Sequence, residues 1–90
     1  MAKIDVQESG NFFNVTVREG GTETTHRVSV PEKLYQELTQ SKISKADCIK
    51  ASFRFLLERE PKESILTRFD LPLISTYFPE FQKEFAKYVR

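Results

Sequence analysis

The chain has no tryptophan, one histidine, one cysteine and three glycines in 90 residues. Each scarcity removes a class of function. One cysteine cannot close an intrachain disulfide, which fits a reducing cytoplasm. One cysteine and one histidine give no CxxC or HxxxH metal set, and no carboxylates stand at calcium-loop spacing. The paired glycines Gly20-Gly21 precede a strand-like run rather than a helix, so they do not read as a phosphate cradle. No stretch approaches the roughly 20 apolar residues that cross a bilayer. The beginning, Met1-Ala2-Lys3-Ile4-Asp5, lacks the apolar run of a signal peptide. The sequence therefore predicts a cytoplasmic protein without a membrane partner. An excess of one charge is also missing. Fourteen Lys and Arg face thirteen Asp and Glu, and successive thirds carry −1, +1 and +1. With no basic tail, charge alone does not argue for nucleic acid.

What is present is phenylalanine: eight Phe and three Tyr in a chain that reads as one domain, residues 1–90. A chain this short has a small interior, so each large apolar side chain weighs on the fold. Residues 2–30 alternate like strands. Ile4 and Val6 share a face, as do Phe13, Val15 and Val17, and then Val28 and Val30. Ser9-Gly10 and Gly20-Gly21 stand where tight turns belong. A two-residue turn at Gly20-Gly21 sets Val17 against Thr24, Val15 against His26, Phe13 against Val28 and Arg18 against Glu23. A turn at Ser9-Gly10 sets Val6 against Phe13 and Ile4 against Val15. Both registers place the apolar set on one side, and a one-residue slip would break this. The prediction is a three-stranded antiparallel β-meander with one buried face.

Helical patterns follow. Pro31 opens a helix carrying Leu34, Tyr35 and Leu38, and Ser29 and Glu32 have capping-box spacing. Ser44 caps a second helix, with Asp47 three residues on. Ala46, Ile49, Phe53, Leu56 and Leu57 line one face of it, widened by Cys48, Ser52 and Phe55. That face is too broad for a helix on a flat surface, so this helix should be central, between the sheet and the C-terminal segment. Pro61 ends it and opens a short helix containing Ile65, Leu66 and Phe69. Asp70 is placed to cap the next helix. Pro79 interrupts again, and the final helix carries Phe78, Phe81, Phe85, Tyr88 and Val89. The fold class is α+β: the meander, two main helices and a proline-broken C-terminal helical segment.

The chemistry-bearing residues are few. His26 falls on the inward face of strand three and Cys48 inside the second helix, and their spacing suggests no nucleophile–base pair. Arg54 and Glu58, with the other charges at helical spacing, read as a solvated face. No catalytic, cofactor or metal residues are assigned, no cofactor is expected, and no small-molecule substrate is predicted.

Two resemblances can be read from longer runs. Residues 25–57 join a strand, Thr25-His26-Arg27-Val28-Ser29-Val30-Pro31, to a short helix, a Ser44 cap and a longer helix. This resembles a ribbon–helix–helix transcription regulator. The resemblance implies a strand paired with its twin across a dimer axis, Thr25, Arg27 and Ser29 reading the DNA major groove, and Ser44 at a phosphate. Such a dimer would have to form on the free edge of strand three. The ending Phe55-Leu56-Leu57-Glu58-Arg59-Glu60-Pro61-Lys62-Glu63-Ser64-Ile65-Leu66, with Phe69-Asp70-Leu71-Pro72 and Tyr77-Phe78-Pro79-Glu80, is similar to a group of short, functionally unassigned prokaryotic proteins. That similarity implies no activity.

The leading expectation is a non-enzymatic interaction protein that binds another protein or a second copy of itself. The aromatic stripe near the end has two readings: Phe69, Phe78, Phe81, Phe85 and Tyr88 close the core over the second helix, or part of the stripe stays exposed and marks Phe78, Phe81, Phe85 and Tyr88 as an interface. The alternative is a DNA-binding regulator using Thr25, Arg27, Ser29 and Ser44.

Overall fold

Glycine geometry fixes the first third of the molecule. The computed structural model describes residues 2–90. Strands β1 (Lys3–Ser9), β2 (Phe12–Glu19) and β3 (Thr22–Ser29) form the predicted antiparallel meander. Gly20 and Gly21 both lie at positive φ, 65° and 80°, the pattern of a type I′ hairpin turn. The second hairpin has the predicted register, with Val17 opposite Thr24, Val15 opposite His26 and Phe13 opposite Val28. Arg18 donates from Nε to Glu23 at 2.9 Å.

The first hairpin differs from expectation. Its turn is Gly10-Asn11, so Val6 faces Val15 and Ile4 faces Val17. Gly10 has φ 62° while Asn11 does not take a positive φ. A type II′ turn needs glycine at its first central position, and this draws the turn one residue along the chain. Each partner moves by two, so every side chain keeps its predicted face.

Helix α1 (Glu32–Thr39) begins after Pro31, without a side-chain cap. The expected capping box does not form, because the Ser29 hydroxyl donates to Asp70 instead. Helix α2 (Lys45–Leu57) starts as predicted, with Ser44 Oγ accepting from the Asp47 amide at 3.0 Å. It is the centre of the molecule. Cys48, Ile49, Ala51, Ser52, Phe53, Phe55 and Leu56 are all buried, more than one helix face can hold. Phe53 turns to the sheet, its ring centroid 5.4 Å from His26. Phe55 turns the other way, 5.0 Å from Phe81 and 5.6 Å from Tyr88.

The segment after Pro61 departs most from expectation. A single 3₁₀ turn, Lys62–Ser64, replaces the short helix. Phe69 then lies in a strand, β4 (Arg68–Asp70), parallel to β3 with Val28 opposite Phe69. The cause is the open backbone edge of β3. The Arg27 amide donates to the Thr67 carbonyl at 2.8 Å, and the Leu71 amide to the Ser29 carbonyl at 2.9 Å. Asp70 is spent on Ser29 rather than on a helix start. Helix α3 (Leu73–Tyr77) follows Pro72 with no side-chain cap. The predicted final helix is two short pieces, α4 (Phe81–Glu84) and a 3₁₀ turn, Phe85–Tyr88. The sheet order is β1-β2-β3-β4. Among the described residues no helix is long and apolar enough to cross a membrane.

Candidate functional site

A groove opens where the C-terminal segment crosses the end of α2. Its volume is about 400 Å³, within the range of small-ligand and side-chain pockets. Leu56 of α2, Ile65 just after the 3₁₀ turn, and Ile74 of α3 are buried and form its floor. Phe69 of β4 and Phe78 are half-buried along its sides. The rim carries Leu66, 49% exposed, and Tyr77, 65% exposed, two of the three large apolar side chains most open to solvent among the described residues.

Local structure places these groups. Ile65 is extended, with φ −75° and ψ 132°, and neighbours on an extended chain point to opposite sides. With Ile65 inward, Leu66 has to face out. The Leu66 backbone is held by His26, whose Nδ1 lies 2.7 Å from the Leu66 carbonyl oxygen. The carbonyl can only accept, so His26 donates from Nδ1; its Nε2 then accepts from the Thr24 hydroxyl at 2.8 Å. A strand histidine thus pins one wall of the groove to the sheet.

Among the described residues, Glu60 is the one charged residue lining the groove. Its amide donates to the Leu56 carbonyl at 2.9 Å, which keeps it beside the end of α2. Burial pushes its carboxyl above the ordinary carboxylate range. The neighbouring cations are engaged elsewhere. Arg59 reaches Glu80 at 3.0 Å and Glu84 at 3.3 Å, with its guanidinium 3.6 Å above the Phe55 ring. Lys62 pairs with Glu63 at 2.8 Å. Among the described residues no cation lies within ion-pair distance of Glu60.

The residues expected at an interface have separated. Phe81 and Phe85 are 0% and 2% exposed and belong to the core, closed over Phe55. They present no side-chain surface to a partner, which agrees with the core-closing reading and corrects the interface reading for both. Phe78 and Tyr88 are half-buried. Phe78 reaches the groove, and the Tyr88 hydroxyl donates to Glu58 at 2.8 Å, outside the groove lining. Sequence reasoning missed Leu66, Tyr77 and Glu60 as site residues. The usable signal was the adjacency of Ile65 and Leu66, which cannot both point inward on extended chain.

Of the residues of the DNA reading, Thr25, Arg27 and Ser29 share one face of β3 and Ser44 lies at the start of α2. Thr25 and Arg27 are exposed on the open face of the sheet, where Arg27 lies 5.2 Å from the Phe12 ring. Ser29 is bound to Asp70, and the Ser44 hydroxyl is occupied by α2. The β3 edge that a twin strand would need is covered by β4 over Arg27–Ser29. His26, 3% exposed, has both ring nitrogens engaged, and neither with Cys48. Burial pushes the Cys48 thiol up to about 11. No family model, curated protein or solved structure matches the chain.

Proposed function

We propose that the protein is a non-enzymatic interaction module that binds another protein through the groove between α2, β4 and α3. The observation that carries this reading is the exposure of Leu66 and Tyr77 beside a preformed apolar groove. Most of the eleven aromatic rings in the chain are at least half-buried, so the large apolar groups left outside stand out. Exposed apolar side chains rimming a concave site are what a partner's anchor side chains bury against. The reading includes a cytoplasmic setting, consistent with the unpaired, buried Cys48.

The test compares the wild-type protein with a variant carrying Leu66→Ser and Tyr77→Ser as baits in lysate, with and without nuclease. Both positions are exposed, so the variant should keep its circular dichroism spectrum and cooperative melt. The expected result is a protein retained by the wild type, lost with the variant and indifferent to nuclease. Retention that is nuclease-sensitive and weakened by Arg27→Ala would favour the DNA regulator instead. Equal retention by both baits would remove the groove from the function.

A further inference from the structure

The electrostatics of the groove say more about its occupant. An apolar groove lined by one unpaired carboxylate is not neutral in its preference. An acidic ligand would meet Glu60 across a low-dielectric surface and be repelled. A purely apolar ligand would cover the carboxylate and strip its remaining water, with nothing given in return. A cation restores most fully what burial removes, because it offers both a hydrogen-bond donor and an opposite charge, and a charge-assisted hydrogen bond in a partly dry site is stronger than one in water. Neither Arg59 nor Lys62 can be that cation. Arg59 is locked to Glu80, Glu84 and the Phe55 ring, and Lys62 is buried against Glu63.

We infer that the groove takes a polypeptide segment of a partner protein bearing a large apolar anchor and, next to it, a lysine or arginine that pairs with Glu60. The anchor enters over Leu56, Ile65 and Ile74, and Leu66 and Tyr77 close on it from the rim. The basic group lies at the α2 end, where the Glu60 backbone is fixed by Leu56. Ser64, also lining the groove, offers a further polar contact beside the charge. The anchor supplies affinity and the cation supplies choice, because segments with an acidic or neutral neighbour are rejected. This rests on the protein-binding reading above.

A phage-displayed library of random linear peptides tests it, selected in parallel on wild type, on Glu60→Gln and on the Leu66→Ser/Tyr77→Ser variant. Wild type is expected to enrich peptides that combine large apolar residues with Lys or Arg. On Glu60→Gln the apolar enrichment should persist while the basic enrichment disappears. A synthetic wild-type-selected peptide should bind Glu60→Gln about tenfold more weakly, read by fluorescence anisotropy. The double variant should select none of these peptides. Groove-dependent peptides without basic residues, or basic enrichment that survives Glu60→Gln, would overturn the cation assignment and leave protein binding standing. No groove-dependent peptide at all would overturn both. A concentration-dependent dimer in sedimentation, dissolved by the double variant, would overturn the inference in favour of a second copy as the occupant.

Discussion

Arg59 does most to hold the C-terminal segment. Its guanidinium donates to Glu80, Glu84, the Phe55 carbonyl and the Tyr88 hydroxyl. Hydrogen bonding to Tyr88 raises its already high pKa, so it stays charged. A lysine can neither fork between two carboxylates nor lie flat on a phenyl ring. Arg59→Ala is expected to cost about 2 kcal/mol and Arg59→Lys about 1 kcal/mol in urea unfolding, allowing for the partial exposure of both carboxylates. Equal stability of Lys and Arg variants would show that only the charge matters. Glu60 behaves in the opposite sense. Its folded-state carboxyl is raised by burial, so the folded protein binds this proton more tightly than the unfolded chain. Its contribution therefore favours the fold at low pH and is lost as pH rises through the raised value. Glu60→Gln should melt higher than wild type at neutral pH, with the difference vanishing below pH about 4. A lower melting temperature at neutral pH would mean that the carboxylate has a stabilising partner. Cys48 is fully enclosed and its thiol is raised to about 11. Iodoacetamide at pH 8 should leave it intact in the folded protein and alkylate it after unfolding. Native-state alkylation would expose an opening motion at the middle of α2.

Elements differed in how far they could be read, and the difference is physical. The meander was legible because glycine turns and period-2 alternation are local. The first turn alone moved, by the requirement of Gly10, and alternation kept the faces unchanged. The start of α2 was legible because a serine cap acts within three residues. β4 was not, since Arg68, Phe69 and Asp70 are too few to show alternation and their partner strand lies some forty residues back. What makes them a strand is the vacant edge of β3, a fact of tertiary structure. This junction is also where His26 acts, joining β3 to Leu66 across the sheet. His26→Ala removes a donor from a part-buried carbonyl and a buried ring from beside Phe53, an expected loss of about 2 kcal/mol. Its signature should be local: faster amide exchange at Arg27 and Leu71, whose hydrogen bonds hold β4, with the β1–β2 amides slowed or sped only by the global loss. Uniform acceleration across the sheet would make His26 merely a core residue.

At the scale of the whole molecule, the sequence could name the aromatic stripe but not its covering. Periodicity shows which residues share a face, whereas exposure depends on which layer comes next. Phe81 and Phe85 share a face and went inside, because Phe55 projects from the far side of α2 to meet them. Leu66 and Tyr77 belong to no stripe, and they were left outside. The consequence is that α2 serves two half-cores at once, Phe53 toward the sheet and Phe55 toward the tail. Whether these behave as one cooperative body has a direct measurement. A domain of this size carries only about 5–15 kcal/mol of net stability, and a buried Phe→Ala change costs about 3–5 kcal/mol. Phe55→Ala should therefore remove a large share of the total, and so should Phe53→Ala, although their neighbours differ. If α2 couples the halves, both variants should unfold in a single transition, with far-ultraviolet circular dichroism and tyrosine fluorescence coincident. Tyrosine reports well here, since Tyr77 and Tyr88 both sit in the tail and no tryptophan masks them. In Phe55→Ala, a tyrosine transition that precedes the loss of sheet signal would show the tail leaving first. The groove would then be a site that opens independently of the sheet rather than a rigid cleft.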